Sequence, residues 1–383
     1  MMTENKNTVS FIKSLFPDKE FVHLHEPVFI GNERNYVLDA IDSTFVSSVG
    51  EYVNRFEKMM AEVTGTKYAV ALVNGTSALH ISLILAEVKT DDEVLTQALT
   101  FIATANAISY IGAKPVFIDV DIDTMGMSPN KLISFLEENG EIRNDGYTYN
   151  KLSGKRIKAC VPMHTFGFPC RIDELVTICE KWNIILVEDS AESIGSYYKG
   201  KHTGSFGLMG VFSFNGNKTI TCGGGGALVT NDEAIAKLAK HLTTQAKVPH
   251  AWEFRHDYIG YNYRMPNLNA AMACAQLEQL DNYVSKKREL AQQYNLFFSK
   301  SNIKFFDEIE DSKANFWLNC ILLKDKNERD RFLTYTNNNG VMTRPVWILM
   351  NKLEMFKDSL TGNLANSEWI EDRLVNIPSS VRL

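Results

Sequence analysis

The sequence predicts an α/β fold in which a large, mostly parallel sheet carries helices on both faces and a smaller α+β region follows. Three observations carry this expectation. Between about residues 56 and 232, short apolar runs alternate with longer amphipathic ones, the pattern of strands joined by crossover helices. The apolar runs are nearly continuous rather than alternating with polar residues, as strands buried on both faces require. At 383 residues the chain also exceeds the size at which one core stops growing, so a second unit is expected.

The elements follow in order. Residues 68–73 read as a strand closed by Asn74-Gly75-Thr76, which opens a helix through Ala78, Leu79, Ile81 and Leu85. Residues 93–96 read as a strand and 104–110 as a helix. Strands at 115–120 and 157–162 follow, then a helix over 172–182. Residues 184–189 form a nearly pure apolar strand ending in Glu188 and Asp189. Residues 139–155, rich in Asn, Gly and charge, read as a surface insertion. Beyond about residue 255 the character changes. Residues 268–296 read as one long Ala-rich helical stretch, with shorter strands such as 316–323 after it. The expected division is an N-terminal arm (1–30), a large α/β domain (31–255) and a small C-terminal α+β domain (256–383).

Composition narrows the function. The chain is 45% hydrophobic and 22% charged, as ordinary globular proteins are. Its net charge of −6, with no basic stripe, speaks against nucleic acid and anionic membrane surfaces as partners. The six cysteines show no CxxC pairing, and no His cluster has zinc spacing, so reduced thiols and no metal are expected. Residues 1–13 are polar, and no apolar run is long enough to span a bilayer. A soluble, cytoplasmic protein is expected.

Lys218 is the most informative residue. It ends the run Phe212-Ser213-Phe214-Asn215-Gly216-Asn217-Lys218, shortly before four consecutive glycines, Gly223 to Gly226. A lysine in that setting is desolvated, and a desolvated lysine forms Schiff bases. Parallel sheets place ligands at the carboxyl ends of their strands. Gly75-Thr76-Ser77 lies at such an end, where the N–H groups opening a helix bind an anion, although strand-to-helix turns also use these residues for geometry alone. Asp189 ends the most apolar strand, either as a helix N-cap or as counter-ion to a pyridinium nitrogen. Ser213 offers a hydroxyl to a phosphate, or is a satisfied buried serine. Together these residues point to pyridoxal 5'-phosphate.

The same ordered stations resemble the DegT/DnrJ/EryC1/StrS family, the nucleotide-sugar aminotransferases of fold type I. They are Asn74-Gly75-Thr76-Ser77-Ala78-Leu79, Thr100-Phe101-Ile102-Ala103-Thr104-Ala105-Asn106, Val187-Glu188-Asp189-Ser190-Ala191-Glu192-Ser193, Gly204-Ser205-Phe206-Gly207, the Lys218 segment, and Gly260-Tyr261-Asn262-Tyr263-Arg264-Met265. The resemblance implies a fold-type-I pyridoxal-phosphate transferase with a seven-stranded-type sheet. It implies Lys218 as Schiff-base lysine and general acid/base, Asp189 as partner of the ring nitrogen, and Phe101 stacked on the ring. Gly75, Thr76, Ser77 and Ser213 would surround the phosphate, and Asn262 would reach the phosphate of a neighbouring subunit in a homodimer with shared sites. Glu192 stands where many members carry Gln or His near the cofactor's phenolic oxygen, a departure that resembles the subgroup acting on 4-keto-6-deoxy sugars.

Lysine rather than histidine at 218 favours transamination over the family's dehydratase branch. The implied reaction takes an amino group from L-glutamate to C4 of a nucleotide-linked 4-keto-6-deoxy sugar, for surface-glycan biosynthesis. The segments 45–50, 163–167 and 343–347 resemble those lining sugar and nucleotide pockets, with Ser48, His164, Phe166, Arg344 and Trp347 as candidate substrate contacts. His164 would equally suit the core, and Arg344 would equally anchor a loop. The stretches 47–50 and 213–218 look most like enzymes making UDP-linked 4-amino-4,6-dideoxy-N-acetylhexosamines of the bacillosamine and legionaminic-acid pathways. A C3-specific enzyme, a GDP- or dTDP-sugar enzyme of the perosamine type, an enzyme for a keto-acid sugar without a nucleotide, and a non-catalytic binding protein are the rivals.

Overall fold

Runs of Val, Ile, Leu and Ala make the centre of the molecule, seen in a computed structural model that describes residues 2–383. The strands are β1 (Tyr68–Leu72), β2 (Glu93–Gln97), β3 (Lys114–Ile118), β4 (Ile157–Val161), β5 (Ile185–Asp189), β6 (Met209–Ser213) and β7 (Gly226–Thr230). They form one seven-stranded sheet in the order β1-β7-β6-β5-β4-β2-β3. Neighbours pair in parallel, except that β7 runs antiparallel to both β1 and β6. The predicted α/β class is observed, with β7 as the strand that makes the sheet mixed.

The helices along the chain are α1 (Met2–Leu15), α2 (Glu33–Asp42), α3 (Glu51–Thr64), α4 (Gly75–Leu85), α5 (Ile102–Tyr110) and α6 (Pro129–Asn139). They continue as α7 (Ile172–Lys181), α8 (Glu233–Thr243), α9 (Asn267–Leu277), α10 (Leu280–Phe298), α11 (Lys326–Asn338) and α12 (Ala365–Glu371). Successive strand residues feed opposite faces, as the pleat dictates. In β2, Val94 joins a core with Ala78 and Ile81 of α4, Ala107 of α5 and Leu242 of α8. Its neighbour Leu95 joins the other core, with Phe135 of α6 and Ile178 of α7. Phe212 and Val229 pack with Phe56 of α3 and Ala273 of α9 in a third cluster.

The later part of the chain adds a four-stranded antiparallel sheet of β8 (Lys304–Phe305), β9 (Asn319–Leu322), β10 (Arg344–Pro345) and β11 (Leu374–Ile377), ordered β8-β9-β11-β10. Helix α1 packs into the same core: Val9 and Ile12 meet a cluster holding Tyr294, Ile321, Phe332 and Val375. The expected single helix over 268–296 is two helices, α9 and α10, parted at Glu278 and Gln279. Side chains just before the break and within it are tied down, Gln276 to the Val28 carbonyl (2.8 Å) and Glu278 to Arg55 (2.6 Å). The insertion at 139–155 forms a hairpin, pairing Gly140–Ile142 with Thr148–Asn150. Among the described residues, no helix is long and apolar enough to cross a membrane.

Strand β5 ends in two carboxylates with different surroundings. The Glu188 side chain is wholly buried and accepts the N–H groups of Gly204 (2.7 Å), Phe206 (2.6 Å) and Gly207 (2.8 Å), with His164 Nε2 at 3.1 Å. Removing it would strand three N–H donors, that of Gly204 buried and those of Phe206 and Gly207 part-buried. Glu188→Ala is therefore expected to lower stability by at least about 3 kcal/mol, seen as an earlier urea-unfolding midpoint.

Candidate active site

The carboxyl ends of the parallel strands open on a cavity of about 340 Å³, lined by Asn74, Gly75, Thr76, Phe101, Met163, Asp189, Glu192, Ser213, Lys218, Trp317 and Trp347 among others. Each side chain arrives for a local reason. Asn74 caps α4, its Oδ1 accepting the Ser77 N–H at 2.8 Å, and so aims the helix N-terminus at the cavity. Gly75 is needed there, because a Cβ would lie 2.9 Å from the Ser213 Cβ. Phe101 is the N-cap residue of α5, 47% exposed, with its ring 5.9 Å from Trp347.

Lys218 sits in the loop between β6 and β7, where its N–H donates to the Asn215 carbonyl (3.0 Å). Its Nζ lies 3.1 Å from Glu192 Oε1 and 4.0 Å from the centre of the Trp317 ring. The Trp317 indole N–H donates to the Asn217 carbonyl (2.7 Å), which locks the ring against the lysine loop. Glu192 is almost fully buried and its other oxygen accepts the Phe166 N–H (2.8 Å). Burial drives the Glu192 pKa up to about 7, against the pull of Lys218 and the Phe166 N–H.

Asp189 accepts from the Thr104 hydroxyl (2.7 Å) and the Ala191 N–H (3.2 Å). Burial raises its pKa, while these two donors, Lys218 and His164 act to lower it. A cationic partner in the cavity would relieve the buried charge. The open helix N-terminus suits a phosphate, the Asp189 carboxylate suits a protonated ring nitrogen, and Lys218 supplies the amine. The residues fit pyridoxal phosphate.

Several expected contacts lie elsewhere in this chain. Ser77 does not line the cavity, since its N–H is taken by Asn74. His164 is a correction: it is wholly buried, and it meets Glu188 and the Cys170 N–H (3.3 Å) rather than the cavity. Phe166 is another, since its ring is buried against Trp347 (4.8 Å) and only its N–H reaches the site, through Glu192. Arg344 is exposed on β10 and donates to Asn337 (3.1 Å) and the Thr343 carbonyl (3.0 Å), as a loop anchor does. Ser48 is half-buried in the loop before α3, away from the cavity, and Asn262 is exposed. Trp347 does line the cavity. Thr104 and Trp317 were not singled out by sequence. Thr104 stood inside a motif that was read, but Trp317 comes from a strand region about a hundred residues downstream of Lys218 and carries no local signal.

Comparison with known proteins agrees with the geometry. The profile of the family described as DegT/DnrJ/EryC1/StrS aminotransferase matches residues 29–383. GDP-perosamine synthase of Escherichia coli O157:H7 is 36% identical over 94% of this chain and 93% of its own. EpsN of Bacillus subtilis (strain 168), a provisionally assigned pyridoxal phosphate-dependent aminotransferase, is 38% identical over 88% of this chain and 84% of its own. The crystal structure of the aminotransferase TlmJ from Streptoalloteichus hindustanus aligns with a TM-score of 0.85 at 25% identity, covering 94% of this chain and 93% of that one. With nearly its whole length matched in sequence and fold, the chain belongs to the DegT/DnrJ/EryC1/StrS aminotransferase family and is a pyridoxal-phosphate-dependent sugar aminotransferase of fold type I.

Proposed function

We propose that this enzyme moves the amino group of L-glutamate to C4 of a nucleotide-linked 4-keto-6-deoxy sugar, in the service of surface-glycan synthesis. The observation that carries the reading is Lys218 Nζ, held 3.1 Å from Glu192 in the cavity that also contains Asp189. The proposed nucleotide is GDP. The E. coli relative, 36% identical, is a GDP-perosamine synthase, and perosamine is a 4-amino-4,6-dideoxy sugar. The rival UDP-N-acetylhexosamine reading rests on the short stretches 47–50 and 213–218 alone.

In this reading Asp189 would hold the cofactor's ring nitrogen and Phe101 would cover the ring. Thr76, Ser213 and the N-terminus of α4 at Gly75 would hold the phosphate. Pyridoxal phosphate, when bound, supplies an electron sink for the pair left when a C–H bond beside nitrogen breaks. Lys218 Nζ takes the proton from Cα of the donor and later delivers one to C4 of the sugar. Glu192, whose carboxyl titrates at about 7, orients that amine and keeps a proton within its reach. Trp317 and Trp347 wall the cavity and limit water around the reacting carbon.

A homodimer with shared sites belongs to the proposal. In the segment before Asn262 the chain exposes Trp252 (78%), Phe254 (81%) and Ile259 (86%), large apolar side chains of the kind that a partner surface covers. Asn262 would then reach the partner's phosphate subsite. Asn262→Ala is expected to weaken cofactor binding without changing the mass seen by light scattering.

Lys218→Ala should abolish the visible absorption of the lysine-bound cofactor and lower turnover about a thousandfold or more. A coupled assay with glutamate should show turnover of the GDP-linked 4-keto-6-deoxy sugar ahead of its UDP and dTDP counterparts. No turnover of any 4-keto sugar would defeat the C4 assignment. Glu192 gives a pH signature in the cofactor-free protein. Its folded pKa of about 7 exceeds the ordinary 4.5, so the folded chain binds this proton more tightly than the unfolded one. That stabilisation is fully present below 4.5 and is lost as pH rises to about 7. Glu192→Gln should flatten the decline across this window in urea titrations.

A further inference from the structure

Two groups face Lys218 Nζ in the cavity, and they differ in kind. Glu192 Oε1 lies at 3.1 Å, and the centre of the Trp317 ring at 4.0 Å. An ammonium brings three donors, more than one carboxylate oxygen meets. The lysine side chain is only 11% exposed, so little water is left to take the others. Glu192 is moreover an inconstant partner. Burial drives its pKa up to about 7, so near neutral pH its carboxyl is charged only about half of the time. The ring face is negative at every pH, and a cation over a tryptophan face is held more firmly when both are shielded from water.

Trp317 is buried, and three hydrogen bonds from separate parts of the chain set its position. Its indole N–H donates to the carbonyl of Asn217, the residue before Lys218 (2.7 Å). Its backbone N–H donates to Asn315 Oδ1 (2.8 Å), and its carbonyl accepts from Lys287 Nζ (3.2 Å). Asn315 is itself wholly buried, and its amide donates to the carbonyls of Glu192 (2.9 Å) and Ile194 (2.8 Å). One side chain therefore fixes both the ring and the Glu192 backbone relative to Nζ. Excluding water from the cavity takes bulk alone, whereas attraction through a π-face takes direction, and direction is what these bonds supply.

We propose that Trp317 is a catalytic residue, its ring face stabilising the ammonium that Lys218 becomes on taking the Cα proton of the amino donor. In that step the Cα–H bond breaks, an N–H bond forms at Nζ, and the electron pair is left to the cofactor's electron sink. The proposal rests on the reading of Lys218 as the base of the transamination. It has two consequences of opposite sign. The face speeds proton transfer to Nζ, and it slows capture of pyridoxal phosphate by the cofactor-free chain, because capture needs the uncharged amine. Tryptophan fluorinated once, twice and three times, placed at position 317 alone, keeps the shape and the indole N–H while draining the face of negative charge. Each added fluorine should slow the spectral change that glutamate causes in the cofactor-loaded chain, reaching about three- to tenfold at three fluorines. Each should also speed the rise of visible absorption when pyridoxal phosphate meets the cofactor-free chain at neutral pH, reaching about two- to fivefold. Trp317→Leu, which keeps bulk and loses the face, should show both effects at least as strongly. Rates independent of fluorine count in either assay would overturn the proposal, as would changes of the same sign in both. A wild-type chain that develops no visible absorption with pyridoxal phosphate would overturn the reading of Lys218 itself, and the proposal with it.

Discussion

The site depends on what happens to one buried carboxylate that never enters it. Glu188 and Asp189 are neighbours at the end of β5, and the pleat sends them to opposite sides. Glu188 collects three backbone N–H groups from residues 204–207 and faces His164. That knot ties the loop leading into β6 to the strand beside it, and it orients Asp189 toward the cavity. His164 is spoken for on both sides, because the Cys170 N–H meets its Nδ1 and so leaves Nε2 to carry the proton toward Glu188. A buried polar network satisfied this fully rigidifies its surroundings, and here the part that it holds still is the strand end bearing Asp189.

The second constraint is the pair of Lys218 and Glu192. Burying a carboxylate costs more than one amine repays, which is why burial outweighs Lys218 in setting the Glu192 pKa. The protein adds the Phe166 N–H to the other carboxylate oxygen, and it accepts backbone strain to do so. Phe166 has φ of 56°, a left-handed conformation that a bulky residue adopts at a cost of roughly 1–2 kcal/mol. The next residue is Gly167, with φ of 92° and no room for a Cβ beside Asn315. The turn exists to present an N–H, and the Phe166 ring pays out its area in the core against Trp347 instead.

Much of this was legible because it is local. Strand-to-helix turns such as Asn74-Gly75-Thr76 carry their own capping chemistry, and the apolar run before Asp189 announces a doubly buried strand. The location of Asp189 and Lys218 in one cavity followed from the rule that parallel sheets bind at their carboxyl ends. What escaped was non-local. The antiparallel direction of β7 depends on pairing with β1, more than 150 residues earlier, and no periodicity encodes direction. Helix α1 hid in a polar composition, although its Val9 and Ile12, with Phe16 just past its end, recur at helical spacing and join one core. His164, Phe166 and Arg344 were of the right type for a sugar pocket, and only packing could show that two of them serve the core and the third a loop.

The cavity therefore has two parts with different origins. One is built from strand ends and the turns that follow them, and it holds the groups suited to the cofactor. The other is brought from far along the chain: Trp317 precedes β9 and Trp347 follows β10, both in the second sheet. Lys287 secures this second part. Its ammonium has been stripped of water, which lowers its pKa to about 7, and it donates to the carbonyls of Trp317 and Ser379. A buried amine is an expensive way to join α10, the Trp317 segment and the stretch just after β11, and an apolar side chain would pack there with less cost. Its advantage is direction, because hydrogen bonds to two carbonyls fix where Trp317 stands beneath Lys218 in a way that apolar packing would not.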